Sequence, residues 1–120
     1  MTKALSIAPI ILFGLFAPLA SQASLDCKSA RTGLELTVPL SNAVLSDSVK
    51  LTRVQTTLLE VPPTRVRDLQ VTDSAVSFTA VDENGQDTIL KFEATKNEYG
   101  RYVGYILYSH SQIGFVCTEN

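Results

Sequence analysis

The chain has 120 residues, 10 Lys and Arg against 12 Asp and Glu, a formal charge of −2, two cysteines and one histidine. A chain of this length holds one domain, and its mild acidity excludes nucleic acid as a partner, because phosphate binding needs clustered cations. Two thiols and one imidazole fall short of the four ligands of a structural zinc site, so neither metal nor cofactor is expected.

Residues 1–23 read as a cleavable signal peptide. Lys3 precedes an apolar run from Ala4 to Ala20 that Pro9, Gly14 and Pro18 interrupt. The run is about 17 residues long, at the lower limit for a membrane-spanning helix. Ser21-Gln22-Ala23 puts small residues where signal peptidase cuts, so cleavage is expected after Ala23. No stable membrane span then remains, and residues 24–120 form the working domain. Losing Lys3 moves the formal charge from −2 to −3. Asp26, directly before Cys27, argues against lipid attachment at that cysteine.

Export to the periplasm or beyond puts the thiols where they oxidise. Cys27 and Cys117, near the two ends of the mature chain, are therefore expected to form a disulfide. A cross-link closing so long a loop stabilises a fold by roughly 4–5 kcal/mol on the chain-entropy model.

Beyond the leader, the hydrophobic period is two rather than 3.6, which means strands. Leu34, Leu36, Val38 and Leu40 alternate with Glu35, Thr37 and Pro39, and the proline confines this strand to an edge or a strand end. A second strand spans Val49 to Leu59. Its phase shifts near Arg53, where a bulge would turn Val54, Thr56 and Leu58 toward the core. Val61-Pro62-Pro63-Thr64 is a stiff, extended connector. Leu69 and Val71 resume the pattern after Arg65-Val66-Arg67, and Asp73-Ser74 marks a turn.

Asn84-Gly85 signals a hairpin. A three-residue loop of Glu83, Asn84 and Gly85 pairs Phe78 with Leu90, Val76 with Phe92 and Ala80 with Thr88. It leaves Ser77, Thr79 and Val81 outside against Lys91, Ile89 and Asp87. A last hairpin joins Arg101–Tyr108 to Gln112–Thr118 through Ser109-His110-Ser111, with Ile113, Phe115 and Cys117 on its inner face. Together these elements predict an all-β domain, a small antiparallel sandwich or barrel of about six to eight strands.

The residues that might carry chemistry are few. Ser109, His110 and Ser111 are adjacent on a turn, and their diverging side chains cannot build a nucleophilic triad. Asp82, Glu83, Asn84 and Asp87 crowd one loop, which lacks the span and ligand alternation of a calcium loop; turn chemistry accounts for them. Arg65 and Arg67, with Arg53, supply guanidinium groups able to clamp an anion, or to discourage edge pairing. Tyr99, Tyr102, Tyr105 and Tyr108, loosened by Gly100 and Gly104, make the candidate binding surface, because tyrosine joins apolar area to a hydroxyl. The expected function is that of an exported, non-catalytic binding module for a protein or envelope component. The alternative is a structural or accessory envelope protein acting as a homo-oligomer.

Overall fold

The computed structural model describes residues 24–120; the predicted leader and its cleavage site at Ala23 lie outside them. In chain order the strands are β1 (Leu25–Lys28), β2 (Leu34–Val38), β3 (Leu40–Ser41), β4 (Val44–Leu45), β5 (Val49–Arg53) and β6 (Thr56–Val61). A 3-10 turn at Pro63–Arg65 follows, and then β7 (Val66–Val71), β8 (Ala75–Val81), β9 (Thr88–Lys96), β10 (Tyr102–Tyr108) and β11 (Ser111–Glu119). Among the described residues no helix is long and apolar enough to cross a membrane.

Nine of these strands form one antiparallel sheet in the order β6-β5-β2-β1-β11-β10-β9-β8-β7, and β3 and β4 make a separate hairpin. The sheet curls into a nearly closed barrel, as the all-β reading expects. Its strand number exceeds the predicted six to eight. Its neighbouring pairs are consecutive along the chain except β2 and β5, which the β3–β4 hairpin separates, and β1 and β11, which bring the two ends of the domain together. Cys27 lies directly opposite Cys117 in that ladder, and the two form the predicted disulfide. Asn120 Nδ2 donates to the Asp26 carboxylate beside it.

The core follows the alternation. Leu34, Leu36, Val38 and Leu40 are all buried, while Glu35 and Thr37 are exposed. They meet Leu25, Cys27, Val49, Leu51, Val61, Val76, Phe78, Ala80, Leu90, Phe92, Tyr102, Ile106 and Phe115 in one cluster. At about 25 cal/mol per Å² of apolar surface, burial of this cluster supplies the main driving force for folding. Gly104 has a steric reason within it. A Cβ there would stand 1.8 Å from the Glu93 carbonyl oxygen on β9, so no other residue fits this close approach of two strands.

Two local readings need correction. Val49–Leu59 is not one bulged strand but the β5–β6 hairpin, turning at Val54-Gln55 with φ of 48° and 66°. Val54 is 84 % exposed at the turn and Thr56 and Leu58 are also exposed, so none of the three enters the core. A β-branched residue rarely adopts positive φ, which is why the turn is invisible to residue preferences. The irregularity lies on β6 instead, where the register jumps from Leu59 opposite Leu51 to Thr57 opposite Thr52.

The second correction concerns the β8–β9 register. Phe92 faces Phe78, Leu90 faces Ala80 and Ala94 faces Val76, a slip of two residues from the predicted pairing. The loop is one residue longer than expected, with Asp82 N–H bonded to the Asp87 carbonyl at 2.9 Å, and the register shifts between Thr88 and Leu90. A slip of two preserves the faces. Phe78 and Phe92 therefore still point inward, and their rings stack with centroids 5.3 Å apart. Val81, expected outside, is buried.

Between β6 and β7 no ladder forms, although only Pro62–Arg65 separate them. The reason is parity. In an antiparallel sheet of nine strands the first and last run in the same sense, and parallel neighbours need a crossover of about a dozen residues. The short Pro-Pro link can only turn a corner.

Candidate functional site

The four tyrosines do not share a surface. Tyr99 stands 81 % exposed in the turn before β10, where its N–H donates to Asn97 Oδ1 at 2.9 Å. Tyr102, only 2 % exposed, belongs to the core and offers no contact area. Burial pushes its hydroxyl above the ordinary tyrosine value, and the nearby Lys96 ammonium, 5.4 Å from the ring centroid, pulls the other way. Tyr105 lies half-buried on the outer face, opposite Gly114 on β11 and Glu93 on β9. Tyr108 is half-buried and packs against the core.

The arginines do not assemble a clamp either. Arg65 Nη1 donates to the Val81 carbonyl and Nη2 to that of Glu60, each at 3.3 Å. Its guanidinium thus spans the open seam between β6 and the β7–β8 side. Arg67 Nη1 donates to the Thr64 carbonyl at 2.6 Å. Arg53 sits at the opposite end of β6, beside Thr56, so at about 3.3 Å per strand residue it lies well out of reach of both.

His110 and Ser109 form the two-residue turn of the β10–β11 hairpin, with φ of 63° and 52°, and are exposed. The acidic loop is organised by Asp82. Its Oδ1 accepts the N–H groups of Asn84 at 3.1 Å and Gln86 at 3.0 Å. The Gln86 N–H is the main reason its carboxyl stays below the ordinary value. Among the described residues no group of three or more His, Cys, Asp or Glu is placed to hold a metal.

What the structure does bring together is an apolar outer face on β10 and β11. Val103 lies directly opposite Val116, both exposed, with exposed Leu107 further along the same face and Tyr105 between. Beside this face runs a groove of about 1230 Å³. One side is the 111–118 stretch of β11 with Val103 and Gly104, and the other is the Ser29–Gly33 turn with Lys28, Glu35 and Arg53.

The groove exists because the strands are unequal in length. β1 has four residues and β11 has nine, and their pairing stops at Val116 opposite Lys28. Beyond it the chain turns away, with Ser29 N–H bonded to the Leu34 carbonyl and Gly33 N–H to that of Ser29, both at 2.9 Å. The lower half of β11 is thus an edge, although its upper half is interior to the sheet. Sequence reasoning missed this site. Its one visible signal was Gly114, a glycine within an alternating strand, which often marks a close approach of another backbone.

This is the site of a stapled, nearly closed antiparallel β-barrel with an open groove on its outer wall. Comparison of the chain with protein-family models, with curated proteins and with solved structures finds no match.

Proposed function

We propose that this chain is an exported, non-catalytic binding module that recognises a protein or another envelope component. The observation that carries the reading is the outer face of β10 and β11. Val103, Leu107 and Val116 are exposed together beside Tyr105, on strands that a disulfide anchors. A contiguous apolar patch on a rigid sheet marks interaction surfaces more often than chance exposure does, and rigidity lowers the entropy lost on binding. The disulfide is compatible with an oxidising location outside the cytoplasm.

Capture experiments with the purified protein on an envelope extract test this. Val103→Asp and Tyr105→Ala should each weaken capture of a specific partner by about tenfold, the loss of about 1.4 kcal/mol, while Arg67→Ala leaves it unchanged. Undiminished capture by both face variants removes this surface from the reading.

A further inference from the structure

We infer that the groove between β11 and the Ser29–Gly33 turn accepts an extended, acidic peptide segment of a partner protein as an added strand. The inference rests on the binding-module reading above and names the chemistry of its ligand.

The backbone supplies the first argument. Tyr108 and Ser111 close a two-residue turn, so they exchange both hydrogen bonds, and bonding to β10 then falls on alternate residues. The N–H and C=O groups of Ser111, Ile113, Phe115 and Cys117 point to β10, and those of Gln112, Gly114, Val116 and Thr118 point the other way. Val116 and Thr118 meet Lys28 and Asp26 on β1. Gln112 and Gly114 have no strand opposite them among the described residues. Two donors and two acceptors are therefore presented in strand geometry along the groove. An incoming extended chain satisfies them as any sheet edge is satisfied by strand addition.

Side chains supply the second. Gly114 is exposed and carries no side chain over the open edge; a Cβ there would project from the outer face, 3.9 Å from the Gly104 carbonyl oxygen on β10. Val103 and Val116 flank that space and offer apolar contact to alternate residues of a peptide. Charge supplies the third. Lys28, Arg31 and Arg53 line the groove against the single acid Glu35, on a chain whose overall formal charge is −2. A local excess of cations on an acidic protein selects and steers an acidic partner.

The test uses the purified protein, its N-terminus read by mass spectrometry. The probe is a fluorescein-labelled peptide of alternating Glu and Val, about seven residues long to span Ser111–Phe115 at about 3.3 Å per residue. Its control is the matching Lys-Val peptide. The Glu peptide should bind at least about tenfold tighter than the Lys peptide, and added salt should weaken it. Gln112→Pro removes an outward N–H and leaves the bonds to β10 in place, so it should weaken binding by about tenfold or more. Arg31→Glu combined with Arg53→Glu should reverse the preference between the peptides.

Equal affinity for both peptides, or full binding by a folded Gln112→Pro variant, overturns the inference. So does a dimer in light scattering that Gln112→Pro dissociates, or a retained N-terminal segment that must be removed before the peptide binds. If Gln112→Pro still captures a partner that Tyr105→Ala loses, the groove is wrong and the binding-module reading stands. If the Glu peptide binds as described but no partner is ever captured, the groove stands and that reading fails.

Discussion

Where β1 meets β11, the two ends of the domain are joined by a four-residue ladder and by the Cys27–Cys117 bond; where β6 meets β7, the chain is continuous and yet no ladder forms. The first seam is distant in sequence and closed, and the second is adjacent in sequence and open. Covalent neighbours are expected to pair, and here strand parity forbids it. Nine antiparallel strands leave β6 and β7 running the same way, with a link too short for a parallel crossover. The open seam is managed by local devices instead: a Pro-Pro corner, and Arg65 reaching the carbonyls of Glu60 and Val81. The closed seam joins segments ninety residues apart through its ladder, the Asn120–Asp26 hydrogen bond and the disulfide, which removes entropy from the unfolded chain.

The largest expected effect breaks the closed seam. Cys27→Ala with Cys117→Ala should cost about 4–5 kcal/mol in denaturant unfolding, the chain-entropy value for a loop of this size. Hydrogen exchange should quicken first in β1 and the upper half of β11. Equal loss of protection at β6 and β7 would mean that the seams are not separate units. Replacing Arg65 by Met tests the other side. It removes the hydrogen bonds to the Glu60 and Val81 carbonyls at a partly exposed site and should cost about 1 kcal/mol. Exchange should quicken in β6 and β7, with β1 and β11 unchanged.

The smallest effect is one of pH. Tyr102 lies opposite Cys117 at the closed seam, and burial holds its hydroxyl above the ordinary value of 10.0. The folded protein thus keeps this proton where the unfolded chain has released it. The stability so conferred is complete below the ordinary tyrosine value and disappears as pH rises through the folded one. Tm should therefore fall above pH 10.0, and Tyr102→Phe should flatten that fall. An unchanged slope in the variant would assign the alkaline loss elsewhere.

These contrasts show how far residue patterns reach. The alternation of Leu34, Leu36, Val38 and Leu40 placed each side chain on its proper face, because a strand's period of two is a local property. The last hairpin and the Cys27–Cys117 bond were legible, one from flanking alternation and the other from an even cysteine count. The hairpin's turn is Ser109-His110 alone, however, and Ser111, expected in it, opens β11 opposite Tyr108. The Val54-Gln55 turn was not, since neither residue favours positive φ; the pairing of Leu51 with Leu59 imposes it. The β8–β9 register escaped by two residues because such a slip keeps Val76, Phe78, Leu90 and Phe92 on the inner face; only Val81, beside the register shift, changes sides.

Most strand faces, the fold class and the covalent clasp were thus written in the amino-acid order, through short-range periodicity and thiol chemistry; Val54, Leu58 and Val81 were the exceptions. Tertiary structure alone decided which tyrosines are buried, where the ladder stays open, and how Lys28, Arg31 and Arg53 come to line one groove. Those outcomes depend on strand length and parity around a closed sheet. Such quantities arise only when segments far apart in the chain compete for the same partner.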